Sequence, residues 1–301
     1  MVLPNFLCVG AEKAGTTPLF RILVQHRDIF MPRNKETHWF SKYYGTKERA
    51  FYEATHFRGW RGQKAVGEAT PEYMRIAKVP ARVKRDLGPG VKLIFCLRDP
   101  VKRAHSHYLQ CVRLLEEGES FPAALAMERK RLEANPYYGQ RRAYVAGSLY
   151  AAHIRHYLKF FPREQMSFLL FEEDLLDDRA GAIARLFDFL GVGADRKVKL
   201  EVADSSLKAP VISVVTEASA AANRRRRLPP GTIIFRTGNA GADRVIPNPS
   251  PQARAFFRKL ARDMTRTLTP ELEQTLYREH FAAEIDGLEK LIGRDLSRWR
   301  R

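Results

Sequence analysis

The sequence has few cysteines and no long apolar run. Its three cysteines, Cys8, Cys96 and Cys111, are odd in number and lack the spacing of a metal site. This argues against a disulfide framework, and we expect reduced thiols that are mostly buried. The sequence contains no stretch of 18 apolar residues and no basic-then-apolar leader with a small-residue cleavage site. We therefore expect a soluble, cytoplasmic protein without an integral membrane segment.

Acidic residues are also scarce relative to basic ones. The chain has 34 aspartates and glutamates against 52 lysines and arginines, which gives a formal net charge of +18. A positive field attracts polyanions such as a nucleotide, an acidic glycan or nucleic acid. Part of the excess is an arginine run from Arg224 to Arg227, which is typical of a solvated loop. No recognisable nucleic-acid-binding module accompanies the charge, so we predict no nucleic-acid partner. A non-catalytic polyanion-binding protein remains an alternative.

Length and composition fit one α/β domain. The chain has 301 residues, of which 45% are hydrophobic, and it contains no internal repeat. We predict a single domain over residues 1–301. Two segments of low apolar periodicity, 114–140 and 203–231, are predicted to be insertions or mobile loops, and the second contains the arginine run and a Pro-Pro pair.

The stretch from Phe6 to Phe20, FLCVGAEKAGTTPLF, predicts a buried strand that ends at Gly10, a tight loop through Gly15 and then a helix. Such a loop gathers backbone N–H groups and the positive end of a helix dipole around one point, which suits a phosphate or sulfate. Lys13 adds a charge at the tip of the loop. Hydroxyl donors follow at the start of the helix, on Thr16 and Thr17.

This loop differs from the usual nucleotide pattern GxxxxGK[ST], in which the lysine directly follows the second glycine. In phosphoryl-transfer enzymes that lysine reaches the β and γ phosphates and the next hydroxyl holds magnesium. Here Lys13 precedes Gly15. The order favours a shorter 5′ anion without a metal, and it argues against the alternative of a P-loop kinase.

A second anion-binding stretch follows the apolar run Val91–Leu97, which is typical of a parallel strand covered on both faces. Arg98 ends this strand, and Asp99-Pro100 provides a helix N-cap followed by proline at the first helical position. Because open α/β sheets bind ligands at the carboxyl ends of their strands, we expect Arg98 to point into the same cleft as the first loop. Ser106 lies two turns into the helix, and a guanidinium with a hydroxyl suits a phosphate.

A candidate general base lies in the motif KETHWF, from Lys35 to Phe40. Glu36 and His38 stand beside Lys35 and among aromatic residues. A carboxylate beside a cation and apolar rings is suitably placed to act as a base. The alternative from residue types alone is an ordinary surface salt bridge.

These motifs resemble the sulfotransferases that use 3′-phosphoadenosine-5′-phosphosulfate (PAPS), in particular the branch of the heparan sulfate sulfotransferases and their bacterial relatives. KAGTT resembles the 5′-phosphosulfate loop of that family, and KLIFCLRDPVKRAHSHYLQ, from Lys92 to Gln110, resembles its 3′-phosphate-binding stretch. The resemblance continues through KETHWF, GEATPEY and the final LIGRDLSRW, so it covers nearly the whole chain.

The resemblance implies a P-loop-like, three-layer α/β fold with a central, mainly parallel sheet flanked by helices. It implies PAPS as co-substrate, no metal, and transfer of a sulfuryl group to a hydroxyl of the acceptor in preference to an amine. The implied acceptor is a carbohydrate or glycoconjugate, and a small hydroxylated metabolite is the alternative.

The resemblance also implies roles for individual residues. Glu36 would deprotonate the acceptor, His38 would orient the acceptor or Glu36, and Lys13 would neutralise charge on the phosphate oxygens. Arg244 lies in RTGNAGADRVIP, where relatives carry a loop that closes over the cofactor, and a segment with Gly147 and Ser148 matches one near the nucleotide. The implied cofactor-binding residues are Lys13, Ala14, Gly15, Thr16, Thr17, Arg98, Ser106 and Arg244.

The sequence departs from the family pattern at two positions near these motifs. Ser41 stands where some glycan-specific members carry an acidic residue after the aromatic pair. Ala69 stands where several relatives carry a lysine close to the transferred group. Ser41 thus departs from the acceptor side of those members, and Ala69 removes one source of positive charge near the sulfonate.

Overall fold

The computed structural model describes residues 2–114, 116–135, 140–201, 211–214, 232–236, 244–247, 249–253, 255–257 and 268–301. Contacts divide the chain into two compact units. The first comprises Met1–Arg103, Gly147–Asp204 and Tyr277–Arg301, and the second comprises Ala104–Ala146 and Ser205–Leu276. The prediction of one domain over 1–301 concerns independent folding, which this division does not test, so it stays a prediction.

The first unit contains a five-stranded sheet in which every neighbouring pair is parallel, with the order β2-β3-β1-β4-β5. All five residues of its central strand are buried, as expected of a sheet covered on both faces. Because this strand is central, the loop that follows it lies between the carboxyl ends of its two neighbours, which is where open α/β sheets bind ligands. The five strands are β1 (Phe6–Gly10), β2 (Ile29–Phe30), β3 (Ala65–Ala69), β4 (Lys92–Leu97) and β5 (Met166–Leu170).

Nine described helices accompany the sheets. They are α1 (Thr16–Leu23), α2 (Arg49–Tyr52), α3 (Val79–Leu87), α4 (Pro100–Arg113), α5 (Phe121–Ala134), α6 (Tyr150–Leu158), α7 (Arg179–Leu190), α8 (Pro270–Leu276) and α9 (Ala282–Ile292). Shorter turns of π or 3₁₀ helix join them, including Trp39–Tyr43, Glu53–Phe57, Pro71–Arg75, Phe171–Asp177 and Tyr277–Phe281. No described helix is both long enough and apolar enough to cross a membrane.

The local signals in the sequence place most elements of the first unit correctly. The predicted N-cap of α4 is present, because Asp99 Oδ1 accepts hydrogen bonds from the backbone N–H groups of Val101 and Lys102 at 3.0 and 3.2 Å. Helix α1 begins at Thr16 as predicted. The sequence predicts an end near His26, and the helix ends three residues earlier, at Leu23. The sequence predicts AVGEAT, from Ala65 to Thr70, as the second strand of the chain, but the unpredicted two-residue strand β2 precedes it and makes β3 the third.

The second unit contains a three-stranded antiparallel sheet, and regular structure occurs in both segments that were predicted to be insertions or mobile loops. Helix α5 lies within 114–140 and is capped by Ser120, whose Oγ accepts from the Ala123 N–H at 3.5 Å. The three strands, in the order β6-β7-β8, are β6 (Val211–Val214), β7 (Ile233–Arg236) and β8 (Arg244–Ile246). The sequence also predicts an amphipathic helix over about 251–267. Most of that range, like the remainder of 203–231, lies outside the described residues.

Candidate active site

The loop between β1 and α1 has the shape of an anion-binding turn. Lys13 and Gly15 both adopt left-handed backbone conformations, with φ values of 68° and 88°. The Ala14 N–H closes a turn on the Ala11 carbonyl at 3.3 Å. Gly15 is the N-cap of α1, and no side chain caps the first turn of that helix. The first amides of α1 are therefore directed at the loop, where the helix dipole favours a negative charge.

Gly15 is required by packing as well as by its backbone conformation. A Cβ atom at this position would lie 2.7 Å from both Leu175 Cδ1 and Phe171 Cδ2, which is closer than van der Waals contact allows. The ring of Phe171 also supports the guanidinium of Arg98, whose Cζ lies 4.8 Å from the ring centroid. One aromatic side chain thus fixes both the loop and the arginine that follows β4.

Arg98 lies beside the loop, as its place at the end of β4 predicts. Its Nη1 donates to the Lys13 carbonyl at 3.5 Å, and its Nε lies 3.7 Å from Glu172 Oε1. That Nε atom is buried and has no hydrogen-bond partner. Burial raises the pKa of Glu172, and the nearby guanidinium opposes that rise without cancelling it. A buried donor without a partner is costly, so this arginine suits an anionic ligand.

Lys35 connects this loop to the candidate base. Its Nζ donates to Glu36 Oε1 at 2.9 Å and to Thr16 Oγ1, at the start of α1, at 3.1 Å. The Lys35 side chain is 13% exposed and that of Glu36 is 40% exposed. The Lys35 carbonyl accepts from the Ala69 N–H at 3.1 Å, so its backbone lies beside the position where relatives carry a lysine. Lys35 is not among the site residues that the sequence predicts.

His38 lies between two carboxylates. Its Nε2 is 3.7 Å from Glu36 Oε2, and its Nδ1 is hydrogen-bonded to Glu72 Oε1 at 2.9 Å. Ser41 Oγ donates to the same Glu72 oxygen. The hydrogen bond with Glu72 raises the pKa of His38 above its ordinary value against the opposing effect of burial. Burial by itself would raise the pKa of Glu72, but the hydrogen bonds from His38 and Ser41 bring it below its ordinary value.

Glu68, near the end of β3, holds the backbone between the candidate base and His38. It is fully buried, and its Oε2 accepts from Thr37 Oγ1 and Thr70 Oγ1, each at 2.6 Å. Its Oε1 accepts from Tyr52 Oη and Tyr73 Oη at 2.8 and 3.2 Å. Burial raises the pKa of Glu68, although these hydroxyls lower it in part. Glu68 therefore serves as a structural anchor for the residues on either side of Thr37.

The aromatic residues that follow Glu36 belong largely to the core. Trp39 and Phe40 are buried, and Trp39 stacks on Tyr52 with ring centroids 4.8 Å apart. Two of the rings that the sequence places near the candidate base therefore pack in the core. The Glu36 side chain is instead paired with Lys35 and faces His38.

The remaining predicted residues are less informative. Ser148 is buried, where its Oγ accepts from Arg103 Nε and donates to the Pro100 carbonyl, so it ties the start of α4 in place. Ser106 lies half-buried on α4, in the part of that helix assigned to the second unit. Arg244 begins β8, and its side chain lies outside the described atoms. The roles predicted for all site residues stay predictions.

Comparison with known proteins identifies the family. The sequence profile of the sulfotransferase domain matches residues 3–210. The chain is 34% identical over 190 residues to heparan sulfate glucosamine 3-O-sulfotransferase 3B1 of Homo sapiens, which covers 63% of this chain and 46% of that protein. It is 33% identical over 189 residues to heparan sulfate glucosamine 3-O-sulfotransferase 6 of Homo sapiens, which covers 63% and 52%. The chain thus spans about half the length of these curated relatives.

A solved structure gives a match over the full length. The crystal structure of a sulfotransferase from Alicyclobacillus acidocaldarius superposes with a TM-score of 0.68 and is 29% identical, and the match covers 100% of both chains. Together with the parallel sheet, this confirms the predicted α/β, P-loop-like fold. The profile match confirms the predicted enzyme class, and the chain belongs to the sulfotransferase domain family.

Proposed function

We propose that the protein transfers a sulfuryl group from PAPS to a hydroxyl of a carbohydrate or glycoconjugate, with Glu36 as the general base. The observation that carries this proposal is the position of Lys35. Its ammonium group bonds both Thr16, at the start of the anion-binding helix, and Glu36. A group suited to hold the donor and a group suited to activate the acceptor therefore belong to one hydrogen-bonded unit.

The residues around the β1–α1 loop fit the donor. The uncapped start of α1, Lys13 and the hydroxyls that follow Gly15 suit a 5′-phosphosulfate. Arg98, with its unsatisfied Nε, suits the 3′-phosphate. We propose Ser106 and Arg244 as further ligands on the basis of the family resemblance. When bound, the donor supplies an activated sulfuryl group, and the transfer requires no metal.

In the proposed sulfuryl transfer, one proton moves to Glu36, one bond to sulfur forms and one bond to sulfur breaks. Glu36 accepts the proton of the acceptor hydroxyl, whose oxygen bonds to sulfur while the bond between sulfur and the 5′-phosphate oxygen breaks. Lys13 and the loop amides neutralise the charge that develops on the leaving phosphate. Lys35 adds a second cation at the same end of α1, which compensates for the absence of a lysine at Ala69.

A glycan acceptor is supported by the names of the curated relatives and by the formal net charge of +18, which attracts acidic polymers. A small hydroxylated metabolite is the second candidate, and it is favoured by Ser41, because the acidic residue of some glycan-specific members is missing there. A cytoplasmic location remains a prediction.

Calorimetric binding of adenosine 3′,5′-bisphosphate, 5′-AMP and ATP, without metal, tests the donor site. We expect the bisphosphate to bind most tightly and Arg98→Ala to weaken it by about 10- to 100-fold, because a charge-assisted hydrogen bond is lost. Arg129→Ala is the matched control, since that side chain is 90% exposed and pairs with Glu133. We expect it to bind like the wild type.

Three results would contradict the proposal, and each would indicate a different property of the protein. Equal binding of the three nucleotides removes the basis for a 3′-phosphate site. ATP binding that requires magnesium indicates a kinase. Affinity for polyanions that falls steeply with salt, with no saturable nucleotide site, indicates a non-catalytic binding protein.

A further inference from the structure

The ring of His38 is hydrogen-bonded to the carboxylate of Glu72, which lies 34 residues further along the chain. Glu72 belongs to the turn Pro71–Arg75, directly after β3, and its Oε1 is 2.9 Å from His38 Nδ1. The His38 and Glu72 side chains are 35% and 24% exposed. The contact is therefore partly shielded from water, and a charge-assisted hydrogen bond is stronger there than at a fully exposed site.

Ser41 binds the same carboxylate oxygen. Its Oγ donates to Glu72 Oε1, and this hydroxyl also lies 3.3 Å from the His38 carbonyl. A serine carries no charge that could pair with the imidazole. The anion at the Nδ1 side of His38 is therefore supplied by Glu72, from a different segment, while Ser41 helps to hold that carboxylate in place.

The backbone on both sides of this contact is fixed. His38 follows Thr37, whose N–H and hydroxyl are bonded to Thr70 and Glu68. On the other side, Tyr73 Oη receives a hydrogen bond from the Phe40 N–H at 3.1 Å. The hydrogen bond between His38 and Glu72 thus joins two segments that are already held together next to it, so little additional ordering is needed to form it.

We propose that Glu72 is a positioning residue that fixes the His38 ring through Nδ1, so that Nε2 is directed at Glu36 and the acceptor. This inference rests on the sulfotransferase function proposed above. With Nδ1 bonded to a carboxylate, Nε2 is the nitrogen that gains or loses a proton. In the protonated form, the imidazolium carries a positive charge whose Nε2 lies 3.7 Å from Glu36 Oε2, close enough to attract and orient that carboxylate by ion pairing.

The charged groups around His38 favour its protonated form. Glu72, Glu36 and Glu68 all act in this direction, and burial acts against it. On the outer side, Arg75 Nη2 lies 4.0 Å from Glu72 Oε2 and helps to keep that carboxylate ionised. The hydrogen-bonded carboxylate is the largest contribution, so Glu72 is the residue whose removal should change His38 most.

NMR titration of the His38 ring in the free protein tests the contact without donor or acceptor. We compare Glu72→Gln, the double variant Glu72→Gln/Ser41→Asp, and the wild type, with His38→Asn to assign the signal. We expect the pKa of His38 to fall in Glu72→Gln. In the double variant we expect it to return toward the wild-type value, because Ser41→Asp restores an anion beside Nδ1.

Kinetics then test the positioning role. We expect kcat of Glu72→Gln to fall by about 10- to 100-fold at neutral pH, the high-pH limb of the rate profile to move to lower pH, and the double variant to recover part of the rate. Affinity for adenosine 3′,5′-bisphosphate should stay within about twofold of the wild type, since Glu72 does not belong to the donor loop. Glu279→Gln is the matched control, because Glu279 lies 3.8 Å from His280 on the surface, and it should change neither quantity.

The outcomes separate this inference from the proposed function. An unchanged pKa of His38 in Glu72→Gln overturns the contact, and a lower pKa with unchanged kcat overturns the positioning role. Failure of the double variant to restore either quantity shows that charge at Nδ1 is not the cause. If the wild type neither binds the bisphosphate nor turns over, the proposed function fails. The His38 titration still decides whether Glu72 holds the ring.

Discussion

The two sides of the candidate site are constructed in different ways. The donor side is a strand, a loop and a helix start within the contiguous stretch from β1 to α1, and Arg98 approaches it from the neighbouring strand. The acceptor side is a network of side chains, in which the segment Lys35–His38 depends on Glu68 and Glu72. The donor side uses mainly backbone geometry and packing, whereas the acceptor side uses hydrogen bonds to charged side chains. Mutations should therefore affect different quantities on the two sides.

The largest expected effect is that of Glu36→Gln. Loss of a general base should lower kcat by about 10²- to 10⁴-fold and leave bisphosphate affinity nearly unchanged, because an amide cannot accept the proton of the acceptor. Steady-state kinetics and calorimetry on the same preparations provide the two measurements. Glu48→Gln, at an exposed glutamate that forms no side-chain cap on α2, is the control. Full turnover by Glu36→Gln would mean that another group is the base.

Lys35→Met should affect both sides of the site. Because its ammonium bonds Thr16 and Glu36 together, we expect kcat to fall by about 10²-fold and bisphosphate affinity to weaken as well. The control is Lys42→Met, at an exposed lysine in the next turn.

Combining Lys35→Met with Glu36→Gln should lower kcat by less than the product of the two single decreases, since the residues are in direct contact. Strict additivity would argue that Lys35 acts independently of the base.

Gly15→Ala should reduce stability on the donor side. The substituted residue would have a left-handed backbone conformation and a methyl group in contact with Leu175 and Phe171. Gly45→Ala provides a comparison, because Gly45 has a φ of 76° and nothing within 4 Å of a new Cβ. Both variants should lose about 1–2 kcal/mol to backbone strain, and Gly15→Ala about 1–3 kcal/mol more from overpacking. Urea unfolding measures the difference, and equal losses would show that the packing can relax.

The smallest effect concerns the dependence of stability on pH. Burial raises the pKa of Glu68, so the folded protein holds this proton more tightly than the unfolded chain does. Stability from this group is fully present below the ordinary carboxyl pKa of 4.5 and is lost as the pH rises through the folded value. A difference of one pH unit between the pKa of Glu68 in the folded and in the unfolded chain corresponds to about 1.4 kcal/mol in the free energy of unfolding. Urea unfolding over a pH series should show a shallower loss for Glu68→Gln, and an identical slope would contradict this account.

The donor side was predictable because its signals are local. A strand that ends in glycine, a lysine at the loop tip and threonines at a helix start are adjacent in the sequence, and the strand-end rule brings Arg98 to the same edge. The acceptor side was predicted only in part. Glu36 and His38 were proposed by resemblance and their roles stay predictions, whereas their contacts with Lys35 and Glu72 were not predicted.

Physical reasons account for what was missed. The pairing of His38 with Glu72 depends on the turn after β3 lying beside the segment that follows β2, and no local pattern specifies that arrangement. The left-handed conformation of His38, with a φ of 54°, is equally hidden in a sequence without a glycine at that point. The second of the two glutamates in GEATPEY was a signal that could have pointed to this contact, since Glu72 lies just after a strand end and a carboxylate there is a candidate partner for a histidine motif.

The uncapped start of α1 has a consequence for how the enzyme can be studied. The amides of a helix end without a capping side chain are available to a bound anion, so a nucleotide that binds there would stabilise the folded state relative to the unfolded chain. At about 100 times its dissociation constant, such a ligand contributes about 2.7 kcal/mol to the free energy of unfolding. Thermal melting in the presence of candidate nucleotides therefore reports on the donor site before any acceptor is known, and it ranks donor analogues by their affinity for that helix end.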